Sequence, residues 1–386
     1  MKIKILTIIG ARPQIIKAAA ISRAINKSFQ NQIQEILVHT GQHYDANMSE
    51  VFFQEMGIPK PDYNLNVGSM SHARQTAKMM EGIEDLIFSE KPDYLLVYGD
   101  TNSTLAGAIS AAKLHLPVVH VEAGLRSFNK AMPEEINRIM TDHASTLLFS
   151  PTQTGFQNLI NEGFSNTDVQ NAHADNPAIF HCGDVMLDNT LFFRQKAQNE
   201  SKVLEKLNLK SNNFILCTIH RDNNTDQKGR LTNIVEALLE ISEKSELEIV
   251  LPLHPRTSKK LPETIEKQLY EKFISNQKIK ITEPVSFFDM IQLESHSKLV
   301  MTDSGGVQKE AFFLQKPCLI MRSETEWVEI VNAGCAQIVD ANKNNIIDNF
   351  DAFSKNKNLI FPEIFGNGNA AEFICQKIVD HAKRKQ

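Results

Sequence analysis

The feature that most constrains the fold is an alternation of short β-branched runs with helix-length amphipathic stretches, which occurs twice along the chain. Runs predicted to be strands include Ile3–Ile9, Tyr94–Tyr98, Val118–Val121 and Leu147–Ser150 in the first series, and Phe214–Ile219 opens the second. Such alternation predicts parallel sheets joined by right-handed crossover helices. A chain of 386 residues also exceeds the size at which one core keeps growing. We therefore expect an α/β fold with two Rossmann-like, doubly wound domains.

A polar stretch at residues 166–177 separates the two series and has the composition of a connection. We place an N-terminal Rossmann-like domain at residues 1–172 and a C-terminal one at residues 173–365. Residues 366–386 form a last segment, in which Gly366 and Gly368 predict a turn before a final helix from Ala370.

The composition excludes several classes of protein. A net charge of −5 without any Lys/Arg run argues against nucleic-acid and membrane-surface partners. The apolar runs fall short of the roughly 20 residues that a membrane helix needs, and residues 1–9 lack the features of a signal peptide. The 5 cysteines are scattered and never form a Cys-x-x-Cys pair. We expect reduced thiols in a cytoplasmic protein.

Charged residues are concentrated after the predicted strand Val118–Val121. The segments 120–126 and 133–138 contain three carboxylates and two arginines. The carboxyl ends of parallel strands are where open α/β sheets bind ligands. Carboxylates there are candidates to move protons, and arginines to hold an anion.

Ordinary ion pairs are the alternative reading of this cluster. Glu122 could pair with Arg126, and Glu134 with Arg138 four residues later on a Pro-started helix. Neighbouring carboxylates would, however, raise one another's pKa values, which suits a general acid. We favour the functional reading.

Two further loops of the first half follow predicted strands. Arg12 and Lys17 flank a helix start whose free N–H groups would face an anion. Asp100 is either an acid–base group or a cap for the helix at Ser103. His39 and His43 have a metal-ligand spacing, but a strand precedes them and Gly41 separates them, so we expect no metal.

The second half carries anion-binding candidates. His220 ends the strand that opens this half, and His254 ends the next. The run Asp303-Ser304-Gly305-Gly306 joins a strand to a helix, and its glycines would let the backbone approach an anion. Asp303 could merely cap that helix. Glu310, one turn into it, is placed to grip a ribose diol, or it acts on the helix dipole alone.

Together these motifs resemble the non-hydrolysing UDP-N-acetylglucosamine 2-epimerases. They occur in family order over nearly the whole chain: Gly10-Ala11-Arg12-Pro13, Gly99-Asp100-Thr101, His120-Val121-Glu122-Ala123-Gly124-Leu125-Arg126, Pro133-Glu134-Glu135-Ile136-Asn137-Arg138 and Asp303-Ser304-Gly305-Gly306. The resemblance implies a glycosyltransferase-B type fold with an interdomain cleft, a homodimer, and a C-terminal helix that packs back on the N-terminal domain. It implies UDP-sugar and UDP as ligands, with no metal and no cofactor.

The resemblance also implies roles for individual residues. It implies acid–base carboxylates at Asp100, Glu122 and Glu134, and a group that assists UDP departure at His220. The implied substrate and UDP contacts are Arg12, Lys17, Arg138, Ser304, Gly305, Gly306, Glu310 and Arg322.

The implied reaction inverts C2 of UDP-N-acetylglucosamine, or of its 2,3-diacetamido-glucuronate derivative, for surface polysaccharide precursors. UDP is eliminated to give a 2-acetamidoglucal and then added back. The chain has Gln14 where the commoner family motif has glutamate, and Trp327 where it has arginine. Both variants resemble the branch that acts on the diacetamido uronate. A retaining glycosyltransferase of the same fold and a non-catalytic UDP-sugar-binding protein are the alternatives.

Overall fold

The structure is a computed structural model that describes residues 2–41, 57, 59–165, 167–356 and 358–383. The chain divides into two compact units, Met1–Asn189 with Glu363–Gln386, and Thr190–Pro362. The connection expected near residue 172 lies inside the first unit. Each unit contains one parallel sheet, so the predicted α/β class with two doubly wound sheets is confirmed.

The first unit is built on a sheet of 7 strands in the order β3-β2-β1-β4-β5-β6-β7. Its elements in chain order are β1 Ile3–Ile9, α1 Arg12–Ala24, β2 Ile33–His39, β3 Tyr63–Asn64, α2 His72–Glu90, β4 Tyr94–Tyr98, α3 Asn102–Lys113, β5 Val118–Val121, α4 Pro133–His143, β6 Leu147–Ser150, α5 Gln153–Asn161, β7 Ala178–His181 and α6 Val185–Glu200. The boundary between the units falls within α6.

The central strands of this sheet are apolar throughout because helices cover both faces. All five residues of β4 and all four of β5 are buried. The alanine-rich α3 packs closely on the sheet: a Cβ added at its Gly107 would lie 3.0 Å from Val97 Cγ1. The predicted bounds of β1, β4, β5 and β6 coincide with the observed ones.

The second unit repeats the plan with a sheet of 6 strands in the order β10-β9-β8-β11-β12-β13. Its elements are α7 Val203–Lys206, β8 Phe214–Thr218, α8 Asp222–Thr225, α9 Lys228–Lys244, β9 Glu248–Pro252, α10 Pro255–Thr264, α11 Lys267–Ile274, β10 Ile279–Thr282, α12 Phe287–His296, β11 Leu299–Thr302, α13 Gly305–Phe313, β12 Cys318–Ile320, α14 Val328–Asn332, β13 Ala336–Ile338 and α15 Lys343–Lys355.

The last helix, α16 Ala370–Ala382, belongs to the first unit. The Asp188 carboxylate accepts the N–H groups of Ala370 and Ala371 at 3.2 and 2.8 Å, which satisfies two of the free donors at the helix start. At the other end, His381 lies 2.6 Å from the Tyr94 hydroxyl and 3.0 Å from the Ala172 carbonyl oxygen. Buried polar contacts therefore fix both ends of this helix.

Candidate functional site

The strand order reverses once in each sheet, and the candidate residues follow the strands at these reversals. In the first unit the reversal lies between β1 and β4, which are neighbours, and in the second between β8 and β11. Ligands of open α/β sheets bind at the carboxyl ends of strands at such a point. Arg12 follows β1, Asp100 follows β4, His220 follows β8 and Ser304 follows β11.

Gln14 joins the two strands at the first reversal. Its Oε1 accepts the N–H groups of Gly10 and Ala11 at 2.9 and 3.1 Å. Its Nε2 donates to the carbonyl oxygen of Tyr98 and to Thr104 Oγ1, each at 2.9 Å. The side chain is only 1% exposed. Gln14 thus uses its hydrogen-bonding capacity inside the first unit, where it holds the loop after β1 against the end of β4.

Glu122 forms an ion pair with Lys17 of α1. Its own φ is +77°, an uncommon conformation for a residue with a side chain. The expected alternative partner, Arg126, instead contacts Asp142 and Glu162, with N–O distances of 2.7 and 2.6 Å. The salt bridge from Glu122 to Arg126 is therefore absent, and Glu122 shares its site with a lysine.

Asp100 forms an ion pair with Arg138 of α4. The cap of α3 is Thr101, whose hydroxyl accepts the Thr104 N–H, so the capping alternative for Asp100 is wrong. Arg138 also contacts Glu135 at 2.6 Å, and the pair between Glu134 and Arg138, which was the alternative interpretation, is not formed.

Glu135 is a structural carboxylate. It accepts the N–H groups of Ser127 and Phe128 at 2.9 Å each, and it is 1% exposed. Burial alone would raise its pKa, but these donors and Arg138 outweigh burial and hold the pKa below its usual value. Glu134, the neighbour that the motif singled out, is exposed, and so is Arg12. Both are accessible to a ligand.

Asp303 joins the two strands at the second reversal. Its carboxylate accepts the N–H of His220 at 2.9 Å, the N–H of Arg221 at 3.1 Å and Asn224 Nδ2 at 3.0 Å. Asp303 is fully buried, and Ser304 is the residue at the cap position of α13. The aspartate therefore holds the His220 loop, and the capping reading of Asp303 is wrong.

The His220 imidazole is poised to stay neutral. Desolvation lowers its pKa, Asp303 opposes this effect, and the neighbouring His254 adds to the lowering. The two rings lie 6.3 Å apart in an edge-on arrangement. A neutral imidazole on an exposed loop can accept a proton near neutral pH.

The glycine loop at the start of α13 is supported by Trp327, which follows β12. The Trp327 indole Nε1 donates to the Gly305 carbonyl oxygen at 3.0 Å, and the Lys309 ammonium lies 4.1 Å from the centre of the indole ring. A Cβ added at Gly306 would meet only the Ser304 Oγ, at 3.9 Å, so the loop surface is open there. The N–H groups of this helix start are available to an anion.

Two further groupings of charged side chains occur in this unit: Arg322 with Glu326, and Glu310 with Glu294. Arg322 is held by Glu326 through two contacts of 2.9 Å. Glu310 lies near the fully buried Glu294, and burial together with the charge of Glu310 raises the pKa of Glu294 well above its usual value.

Within the described ranges, no group of three His, Cys, Asp or Glu side chains is arranged to hold a metal ion. His39 lies at the end of β2, where its Nδ1 accepts the Gly41 N–H at 2.9 Å, and His43 lies outside the described residues. Nor does any helix in the described part of the chain have the length and apolarity to cross a membrane.

The sequence did not indicate several of the contacts that shape the site. Gln14 was named as a clue to the sugar and Asp303 as a possible helix cap, whereas each holds a loop. The pairing of Lys17 with Glu122 joins residues 105 positions apart. Asn137 donates to the Asp100 carbonyl oxygen at 2.9 Å, which sequence reasoning missed. Its place beside Arg138 in the quoted motif was the available signal.

One Rossmann-like unit has paired carboxylates and cations, and the other has a glycine loop at a helix start. This combination is typical of an enzyme that acts on an anionic, nucleotide-linked substrate. A family model described as UDP-N-acetylglucosamine 2-epimerase matches residues 26–379. The chain belongs to this family, and it is an isomerase of the epimerase type. The resemblance carried by the motifs is confirmed.

Individual relatives align with this chain over nearly their full length. The chain is 48% identical to the UDP-2,3-diacetamido-2,3-dideoxy-D-glucuronate 2-epimerase of Pseudomonas aeruginosa over 373 residues, 97% of this chain and 98% of that protein. It is 43% identical to the UDP-N-acetylglucosamine 2-epimerase of Methanocaldococcus jannaschii, with the same coverage. The crystal structure of the Methanocaldococcus jannaschii enzyme in complex with UDP-GlcNAc and UDP matches with a TM-score of 0.81 at 42% identity, covering 98% of this chain and 100% of that one.

Proposed function

We propose that the enzyme inverts C2 of a UDP-linked 2-acetamido sugar by elimination and re-addition of UDP. The C2 proton is removed and UDP leaves C1, which gives a 2-acetamidoglucal; UDP then returns and C2 is reprotonated on the other face. The observation that carries this proposal is the pairing of Glu122 with Lys17 and of Asp100 with Arg138 at the strand reversal of the first unit. A C2 proton next to no carbonyl is poorly acidic, so its removal needs a base, cations and an assisted leaving group together.

In the first unit, we assign proton transfer at C2 to Asp100, Glu122 and Glu134. Ion pairs with Arg138 and Lys17 hold Asp100 and Glu122 in place. Arg12, Lys17 and Arg138 supply positive charge for the substrate. Their guanidinium and ammonium groups suit phosphate and carboxylate oxygens.

In the second unit, the diphosphate is assigned to the Ser304 hydroxyl and to the N–H groups of Gly305 and Gly306 at the start of α13, since the Ser304 N–H already donates to Thr302 Oγ1. Glu310 accepts the hydroxyl groups of the ribose, and Arg322 contacts the substrate after it leaves Glu326. His220 assists UDP departure. The Asp303 contacts to the His220 and Arg221 N–H groups keep this loop in place.

The sugar is either N-acetylglucosamine or its 2,3-diacetamido-glucuronate derivative, which are the sugars named for the two relatives above. A retaining glycosyltransferase and a binding protein without activity are not favoured, because the family match covers the chain and the paired carboxylates suit proton transfer. The natural role is supply of a precursor for surface polysaccharide.

A homodimer is part of the proposal. Ile136 and Met140 lie four residues apart on α4 and are 41% and 48% exposed, beside an open groove of about 460 Å³. Such apolar exposure on one helix face suits a second copy of the chain. Light scattering of the purified enzyme should give the mass of two chains, and an Ile136→Asp variant should shift the mass toward that of one chain.

The placement in the cytoplasm is supported by the cysteines, which are all free.

The reaction is tested by incubating the enzyme with each UDP-sugar separately and identifying products by NMR. We expect an intact UDP-sugar with inverted C2 from at least one of them. Free sugar with UDP would indicate a hydrolase, and binding without any product would indicate a sensor. Comparison of kcat/KM for the two sugars identifies the natural one.

A further inference from the structure

His120 lies in the middle of β5, two residues before Glu122, and it is completely buried. Its Nδ1 lies 2.7 Å from Asp142 Oδ1 of α4, and its Nε2 lies 2.8 Å from the carbonyl oxygen of Gly99 at the end of β4. None of the roles proposed above uses this histidine or this aspartate.

His120 links two groups inside the unit. The Gly99 carbonyl oxygen can only accept, so it accepts a hydrogen bond from Nε2. Burial alone would raise the pKa of Asp142, but contacts with His120 and Arg126 outweigh burial and hold it below its usual value. His120 therefore bridges the Gly99 carbonyl oxygen and the Asp142 carboxylate at a site without solvent.

These two acceptors lie next to two of the three proposed acid–base residues, Asp100 and Glu122. The Gly99 carbonyl belongs to the peptide group whose nitrogen is that of Asp100. The second oxygen of Asp142 accepts the Gly124 N–H at 3.1 Å and pairs with Arg126 at 2.7 Å. The segment from His120 to Gly124 is thus held at both ends around Glu122.

Glu122 needs such support because its φ of +77° is unfavourable for a residue with a side chain. The N–H groups of Glu122 and Ala123 both donate to the Phe149 carbonyl oxygen, at 3.0 Å each. A Cβ added at Gly99 would lie 3.1 Å from Glu122 Oε2. The Gly99 peptide and the Glu122 carboxylate are therefore packed together, and a shift of either moves the other.

We propose that His120 and Asp142 form a positioning pair for the epimerase reaction. The imidazole of His120 holds the Gly99–Asp100 peptide, and Asp142 holds the turn that contains Glu122, so that Asp100 and Glu122 keep one relative placement. His120 touches no substrate. This inference rests on the proposed function only for the roles of Asp100 and Glu122, since the hydrogen bonds of His120 exist without them.

The kinetic test replaces His120 with glutamine, which keeps a donor for one partner only. We expect kcat to fall about 100-fold, the effect of a small misplacement of reacting groups, while KM and the Kd for UDP stay within about threefold. The matched control is His381→Gln, which alters another buried histidine of the same unit with two hydrogen-bond partners. Equal loss of kcat in both variants, or a change confined to KM, would overturn the proposal.

A second test uses the unaltered enzyme and does not depend on turnover or on the folding of a variant. Histidine-selective ¹⁵N labelling reports the protonation of ring nitrogens by NMR. We expect at least two rings with hydrogen bonds at both nitrogens, those of His120 and His381, one of which should be lost in His120→Gln. Fewer than two such rings in the native enzyme would refute the proposal. Absence of epimerase activity with both rings hydrogen-bonded would count against the proposed function instead.

Discussion

Lys17 and Glu122 form an ion pair that joins the first helix of the chain to the end of β5, 105 positions later. The two side chains are only 13% and 11% exposed. Gly99 lies beside both charged groups: a Cβ there would be 3.1 Å from Glu122 Oε2 and 3.3 Å from Lys17 Nζ. The ends of β1, β4 and β5 therefore meet at this pair.

Replacement of Lys17 with methionine should lower kcat/KM about 100-fold, because Glu122 would lose the cation that holds it in place. Steady-state kinetics with the preferred UDP-sugar measure the effect. Lys27→Met is the matched control, since Lys27 is exposed just after the same helix, and this variant should match the unaltered enzyme. Equal activity of the two variants would show that Lys17 does not contribute to the reaction.

Gln14→Glu should lower the free energy of unfolding by about 1–3 kcal/mol at neutral pH. A carboxylate cannot donate to the Tyr98 carbonyl oxygen, which now receives the Gln14 Nε2 hydrogen at 2.9 Å. The deficit should shrink in acid, because a protonated carboxyl regains a donor. Urea unfolding at two pH values measures this, with Gln30→Glu as an exposed control. A pH-independent deficit would contradict the explanation.

UDP binding should change the intrinsic fluorescence of the protein, because its single tryptophan, Trp327, braces the glycine loop at Gly305. A titration with UDP should therefore give a saturable signal. Trp327→Phe removes the indole donor and should weaken UDP binding about fivefold, the effect of roughly 1 kcal/mol. Calorimetry measures this variant, which lacks the fluorophore. An unchanged affinity for UDP would show that Trp327 does not support the loop assigned to the diphosphate.

Stability should fall as the pH drops from about 6.5 to about 4, in part because of His39. Burial lowers the pKa of His39 to about 4, whereas an unfolded histidine has a pKa near 6.5. The unfolded chain then binds the extra proton throughout this window, so acid favours unfolding, by up to about 2–3 kcal/mol.

Urea midpoints at a series of pH values test the His39 effect. His39→Asn should flatten the profile between pH 6.5 and 4. His115→Asn should leave the profile unchanged, because His115 is exposed and its φ of +56° suits asparagine. Identical slopes for all three proteins would show that His39 titrates normally in the folded state.

The sequence predicted the central strands closely, because a buried parallel strand is a short apolar run bounded by turns. β4, β5 and β6 were predicted at their observed bounds. The short β3 and β13 were missed: Tyr63–Asn64 and Ala336–Ile338 span 2 and 3 residues and have no periodicity to read. The motif residues of each unit do follow strands at the reversals of its sheet, as the alternation implied.

Partners within the site were predicted less well than positions. Spacing along the chain suggested pairs of Glu122 with Arg126 and of Glu134 with Arg138. Glu122 instead pairs with Lys17 of α1, and Arg138 pairs with Asp100 after β4 and with its helix neighbour Glu135. A single sequence carries no information on such contacts. Gln14 and Trp327, used as clues to the sugar, each bond to backbone groups of a loop, so any effect on sugar choice acts through the loop.

The most direct test of the central claim is deuterium incorporation at C2. The enzyme is incubated in D₂O with its preferred UDP-sugar, and the recovered nucleotide sugar is analysed by NMR. Elimination and re-addition predict deuterium at C2 of the intact, inverted UDP-sugar, and loss of this exchange in Glu122→Gln while UDP still binds. Inversion with the original C2 hydrogen retained would contradict the account.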